Sequence, residues 1–163
     1  MHKKVAVVFA MLVWLAVPGI AAAQKLVFVT RHAERADEPA RNQDDPPLSR
    51  AGEQRAARLA AMLKDANVKG IYVTAFKRTQ QTAAPLATAL KLESQVMPLN
   101  VTAFVSALKK DHADDVVLIV AHSSTIPGIV KALTGSSVEV SESDYDSLFV
   151  VIPATQTTVR LRY

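Results

Sequence analysis

Apolar residues in this chain switch between two spacings, and the switches mark its elements. The runs 26–30, 70–75, 94–99, 116–120, 147–152 and 157–161 have the length and β-branched content of strands. Residues 116–120 are apolar throughout, as expected of a strand buried on both faces. Helical spacing governs the segments between. It is carried by Leu59, Met62, Leu63 and Ala66 in 48–66, and by Thr82, Leu86, Ala89 and Leu90 in 77–92. Val101, Phe104, Val105 and Leu108 carry it in 101–110, and 126–133 follows as a fourth helix ending at Gly135. Ser49 is placed to cap the first helix with Glu53 in its first turn, and Arg55, Arg58 and Lys64 are expected to face outward. Pro85 predicts a kink or restart in the second helix. Only residues 153–156 separate the last two strands, which reads as a hairpin. This alternation predicts an α/β three-layer sandwich: a mostly parallel central sheet flanked by helices, with an antiparallel edge strand near the C-terminus.

One connection does not fit the usual short βα link of roughly 2–6 residues. Residues 36–47 are polar and proline-containing, and form either a solvated loop or part of a site wall or lid.

The N-terminal segment follows neither spacing. His2, Lys3 and Lys4 precede an unbroken apolar run at 5–17, Pro18-Gly19 breaks it, and Ala21-Ala22-Ala23 supplies small residues for cleavage. Residues 1–23 therefore read as a signal peptide, and 24–163 as one domain that is periplasmic or secreted. The alternative, an uncleaved anchor, needs about 20 apolar residues to span a bilayer, and the run is shorter. No stable membrane insertion is expected after cleavage. Removing Lys3 and Lys4, with no acidic residue lost, lowers the formal charge from +4 to +2. No basic run remains to bind nucleic acid. The chain has no cysteine, so disulfides and thiol chemistry are excluded, and three histidines remain after cleavage. No metal site and no organic cofactor are expected.

Three strand ends carry the candidate chemistry. The first delivers Arg31 and His32, followed by Glu34 and Arg35. The second delivers Thr74 and, across a short turn, Lys77 and Arg78 with Thr79, Gln81 and Thr82. The 116–120 strand delivers His122, Ser123, Ser124 and Thr125. In a parallel sheet these ends lie on one side, so two arginines and two histidines converge. Arginine offers a planar fork to two phosphate oxygens, and a neutral imidazole offers a ring nitrogen as nucleophile. Protonated, a second histidine donates to oxygens that gain charge in the transition state. Helix N-termini near Arg78 and Thr125 add backbone donors.

TRHAE at 30–34 resembles the Arg-His-Gly/Ala-Glu signature of the histidine phosphatase (phosphoglycerate-mutase-like) superfamily. TAFKRTQQTA at 74–83 resembles its second arginine motif, and LIVAHSSTIPGIV at 118–130 its second-histidine motif. The resemblance implies that His32 becomes phosphohistidine, that Arg31 and Arg78 grip the phosphoryl group, and that His122 stabilises the transferring charge. Ala33 stands where the family commonly has glycine. The insertion after the second helix that carries a glutamate acid in many members is missing from 92–101, so the chain resembles the short phosphohistidine phosphatases. The general acid is unassigned. Glu34 is a candidate, against pairing with Arg35, and Glu142 and Asp144 are others, against a solvated acidic turn. Arg35 is a candidate substrate contact or a surface residue, Lys77 a candidate on the rim, and His112 a surface loop residue.

The expected function is hydrolysis of a small phosphomonoester through a phosphohistidine on His32. Two rivals stay open: a phosphate-ligand binder without turnover, and a phosphohistidine phosphoramidase. The sequence assigns no oligomeric state.

Overall fold

The computed structural model describes residues 26–37 and 44–163. Residues 1–23, read as a signal peptide, lie outside the described residues, as does the middle of the 36–47 loop. The order of elements is β1 (Leu26–Arg31), α1 (Arg50–Leu63), β2 (Val68–Val73), α2 (Lys77–Leu90), β3 (Ser94–Val96), α3 (Val101–Asp111), β4 (Val116–Ala121), α4 (Ile126–Thr134), β5 (Ser147–Ile152) and β6 (Thr157–Arg162).

The strands form a six-stranded sheet in the order β3-β2-β4-β1-β5-β6. β3, β2, β4 and β1 are parallel, while β5 runs antiparallel to β1, and β6 to β5. Alternate side chains of β1 and β4 enter two cores. Val27, Val29, Val117 and Ile119 pack with Phe104, Leu108, Ile129 and Leu133 of α3 and α4. Phe28, Leu118 and Val120 pack with Leu59, Leu63, Leu86 and Ala87 of α1 and α2. This is the three-layer sandwich expected from the alternation, and β4 is buried at every position.

Several local expectations are corrected. α2 runs unbroken through Pro85, which is half-buried; the proline costs one backbone hydrogen bond but not the helix. The buried stripe of α1 is Ala56, Leu59, Ala60 and Leu63, the i, i+3, i+4, i+7 spacing of one face. Met62 falls off that stripe and is exposed, and on α2 Ala89 is exposed while Ala87 is buried. The third strand keeps only Ser94–Val96 of the predicted 94–99, and Leu99 is fully exposed beyond it. The expected hairpin closes through a 3-10 turn at Pro153–Thr155.

The α1 cap forms as read: the Ser49 side chain accepts from the Gly52 amide at 3.1 Å. Gly52 has a further role. A Cβ built there would lie 2.2 Å from the Glu34 carbonyl oxygen, so only glycine lets α1 approach the segment leaving β1 this closely. Arg35 and Leu48 form an isolated antiparallel bridge, and the Ala36 amide donates to the Pro47 carbonyl at 2.9 Å. The two ends of the 36–47 loop are thus tied together beside the C-terminal edge of the sheet. No helix among the described residues is long and apolar enough to cross a membrane.

Candidate active site

The C-terminal ends of β1 and β4 are adjacent, with Arg31 in register with Ala121. His32 and His122 follow at the next positions. The His32 amide donates to the Ala121 carbonyl at 3.0 Å, extending the ladder by one bond, and the two imidazole rings stand 5.3 Å apart between centroids. β2 ends one strand further over and delivers Thr74 and, across a short turn, Arg78. Arg31, His32, Arg78 and His122 are brought together as the sequence predicted.

Each histidine is held in a definite form. His32 Nδ1 lies 2.8 Å from the Ala33 carbonyl oxygen, which only accepts, so Nδ1 carries the proton and Nε2 keeps its lone pair. Burial pushes the His32 pKa down to about 4, with Arg31, His122 and Arg78 adding to the shift against the Ala33 bond. Burial likewise lowers His122 to about 4, aided by Arg78 and Arg31. Both rings are therefore neutral at pH 7. His122 Nε2 lies 3.0 Å from Thr74 Oγ1, which lies 2.9 Å from Thr79 Oγ1. The Thr79 hydroxyl has one proton and donates it to the Phe76 carbonyl at 2.8 Å, the shortest of its bonds. The chain of donors then runs from His122 Nε2 through Thr74 to Thr79, and this assignment leaves Nδ1 for the pocket.

The backbone around His32 is tied to α2. The Ala33 amide donates to Thr82 Oγ1 at 2.9 Å, and the Thr82 hydroxyl donates to the Arg78 carbonyl at 2.7 Å. One threonine therefore connects the peptide after His32 to the residue that supplies the second arginine.

The guanidinium groups are the other half of the site. Arg31 Nε, Arg78 Nε and Arg78 Nη1 are buried and have no hydrogen-bond partner among the described residues. Buried donors are almost always satisfied, so three unpaired N–H groups on two cations call for an anion. Desolvation lowers the Arg78 pKa, and the charges of Arg35 and Arg31 push the same way. The Tyr145 ring lies 4.2 Å from the Arg31 guanidinium and 6.0 Å from the His32 ring. Phe76 mirrors it, 4.2 Å from the Arg78 guanidinium and 5.2 Å from the His122 ring. Two aromatic rings thus wall the pocket, each against one arginine and one histidine.

The acid candidates separate. Glu34 is held by Arg55, with Nε at 3.0 and 2.9 Å from its two oxygens and Nη2 at 2.6 Å. Arg55 in turn donates to the Tyr163 carbonyl at 2.9 Å, so it does not face outward as α1 periodicity suggested. Burial raises the Glu34 pKa, but the bond and charge of Arg55 outweigh it and the net direction is down. The structure brings Glu34 to this brace and gives it no hydrogen bond to the histidines or to the two site arginines. Asp144 pairs with Arg160 and Arg162 at 2.7 and 3.1 Å and belongs to the turn. Of the three candidates, Glu142 reaches the site. Its Oε2 accepts from Arg31 Nη2 at 2.9 Å, and its Oε1 accepts from the Ser123 hydroxyl. The Ser123 bond, opposed by desolvation and aided by the Arg31 charge, holds its carboxyl below the usual range.

Arg35 is exposed on the rim, where its charge is felt at Arg78 and Glu142. The 36–47 loop does border the site: Asp45 accepts from the Lys77 amide at 2.9 Å and lies 3.7 Å from Arg78 Nη1. His112 is not a free surface residue; it bridges the Tyr72 hydroxyl at 2.8 Å and Asp115 at 2.9 Å, away from the motif residues in sequence. Sequence reading assigned no role to Phe76 and no bracing to Thr82, both inside the 74–83 motif, gave Ser123 no partner, and missed Tyr145 in the acidic 141–146 segment. A groove of about 390 Å³ between α2 and β3, lined by Val73, Gln80 and Val96 among others, contains none of the four motif residues. Among the described residues no cluster of His, Cys, Asp and Glu is arranged to hold a metal.

A neutral histidine with a free Nε2, a second histidine and two arginines with unpaired donors are the groups that phosphoryl transfer to a histidine requires, here on an α/β sandwich. The sequence model of the histidine phosphatase superfamily (branch 1) matches residues 27–99, which contain Arg31, His32 and Arg78. Over that stretch the chain is similar to that superfamily. Solved structures agree in fold over nearly the whole domain. The protein histidine phosphatase SixA complexed with tungstate superposes with a TM-score of 0.64 at 20% identity, covering 83% of this chain and 94% of that one. Ecdysone phosphate phosphatase from Bombix mori, also in complex with tungstate, gives 0.62 at 15% identity, covering 83% and 92%. Phosphoglycerate mutase from Bacillus anthracis str. Sterne gives 0.60 at 15% identity, covering 87% and 94%. No curated protein matches the chain by sequence.

Proposed function

We propose that the protein is an exported phosphatase that hydrolyses a small phosphomonoester through a phosphohistidine on His32. The observation that carries this reading is the set of three buried, unpaired guanidinium N–H groups of Arg31 and Arg78 beside an imidazole with a free Nε2. The phosphoryl group would be gripped by these donors and attacked by Nε2. As the leaving oxygen departs, charge on the phosphoryl oxygens would be met by the two arginines, and by His122 once its pocket-facing Nδ1 has taken up a proton. Arg35 on the rim would contact the rest of the substrate. Export is supported by the signal-like pattern of residues 1–23, and a phosphate ester of the periplasm or exterior is the substrate class that follows from it.

A second reading, hydrolysis of phosphohistidine, is favoured by one feature. The acid that touches the site, Glu142, is held in its ionised form and has no proton to give a leaving group. An imidazole leaves phosphorus with far less help from an acid than an alkoxide needs.

The test is rapid mixing with a ³²P-labelled aryl phosphate and quenching in alkali, where phosphohistidine survives. Label on His32 in the wild type, absent in His32→Ala together with turnover, is the expected result. Full activity in His32→Ala would refute the mechanism. Phosphate binding with neither label nor turnover would identify a binder, and turnover of N–P substrates alone would select the phosphoramidase.

A further inference from the structure

The acidic turn between α4 and β5 lies outside the family motifs, yet it wraps the outer edge of Arg31. Arginine has five N–H donors. Nη1 of Arg31 donates to the Ser141 carbonyl at 3.3 Å and to the Glu142 carbonyl, and Nη2 donates to Glu142 Oε2 at 2.9 Å. The Nε hydrogen and the second Nη2 hydrogen remain, and Nε is buried without a partner. A phosphoryl group bound to this free edge shares Nη2 with the Glu142 carboxylate. The carboxylate is therefore placed at the flank of the bound phosphorus and is not displaced by it.

Three further observations fit a group that moves protons. The Ser123 hydroxyl fixes the second carboxylate oxygen, so the group is oriented from two sides. Its charge interacts with both His32 and His122. Its side chain is 82% exposed, so a proton gained from the pocket has a direct route to solvent. Among the described residues, other acids near the site are engaged elsewhere: Glu34 on Arg55, Asp144 on Arg160 and Arg162, Asp45 on the Lys77 amide.

We propose that Glu142 is the proton acceptor for the second half-reaction, the hydrolysis of phospho-His32. The inference rests on the covalent reading above. The water oxygen forms a new bond to phosphorus, the N–P bond breaks, and its electron pair returns to His32 Nε2. A proton of the attacking water passes to a Glu142 carboxylate oxygen and then to solvent. Inorganic phosphate and a neutral His32, still carrying its Nδ1 proton on the Ala33 carbonyl, are left. The same carboxylate does not protonate the leaving group of the first half-reaction. The enzyme then favours leaving groups that depart without a proton.

The test is pre-steady-state kinetics with 4-nitrophenyl phosphate on wild type, Glu142→Gln and Glu142→Asp. Glu142→Gln is expected to release a burst approaching one nitrophenolate per site, to accumulate alkali-stable phospho-His32, and then to turn over roughly 10²- to 10⁴-fold more slowly than wild type. Hydroxylamine, which attacks phosphorus without a base, should restore turnover, and Glu142→Asp should keep part of it. Unchanged steady-state turnover in Glu142→Gln overturns the proposal. So does loss of the burst along with turnover, which would mean that Glu142 only anchors Arg31. A wild type that turns over without labelling His32 overturns the covalent reading and this inference together. A labelled wild type with either failure in Glu142→Gln overturns this inference alone.

Discussion

Acid should loosen this fold before its carboxylates titrate, because the folded state keeps His32 neutral. His32 is 4% exposed, and burial lowers its pKa from 6.5 to about 4. In the unfolded chain it binds a proton near pH 6.5, whereas in the native state it waits until about pH 4. Between these values the unfolded state binds more protons, so stability rises with pH through that window and is lost as pH falls through it. At 1.36 kcal/mol per unit, the His32 shift corresponds to a loss on the order of 3 kcal/mol, or roughly 10 °C in midpoint for a domain of this size. His122 adds a smaller loss in the same direction, since it is half-exposed and better screened. The carboxylates act lower. Asp144 is held at about 2 by the Ser141 amide and then Arg160, so its contribution disappears only as pH falls from 3.8 toward 2. Urea unfolding followed by circular dichroism at pH 7, 6, 5 and 4.5 measures the slope, and His32→Gln should flatten most of it. A stability that stays level from pH 6.5 to 4.5 would refute the argument, as would an unchanged slope in His32→Gln.

Two substitutions test the bracing of the nucleophile's segment. Gly52→Ala places a methyl group 2.2 Å from the Glu34 carbonyl oxygen, a backbone atom that cannot rotate away; α1 must back off, and the domain should lose about 1–3 kcal/mol in urea unfolding. Thr82→Val keeps the side-chain volume but removes the acceptor of the buried Ala33 amide; a loss of about 1–3 kcal/mol in stability is expected, with a lower kcat as the peptide beside His32 loosens.

The architecture was legible because buried parallel strands leave a strong record: 116–120 has no polar residue to interrupt it, and its ends predicted β4 closely. The four motif residues were legible for a related reason, since each follows a strand or its first turn. What could not be read depends on contacts between segments distant in sequence. Arg55 looked like a solvent-facing helix residue because the period of α1 is blind to Glu34 across the gap. The choice among Glu34, Glu142 and Asp144 depended on which arginine each would meet, and those arginines lie 16 to 111 positions away in the chain. Of the two outcomes Pro85 predicted, the restart does not occur: packing of Ala83, Leu86 and Ala87 against the sheet outweighs one missing hydrogen bond.

The two histidines occupy successive positions beyond a hydrogen-bonded pair of neighbouring strands. Adjacent strands in any sheet lie about 4.8 Å apart, so the separation of nucleophile and partner is inherited from the ladder and does not depend on any loop. Substitutions at the described ends of the 36–47 loop can therefore reshape the rim while leaving the two histidines at their spacing. Changing that distance would require unpairing β1 from β4, the two most deeply buried strands of the domain. In this fold the spacing of the two histidines is insulated from the loops, while Glu142 ties the 139–146 turn to Arg31.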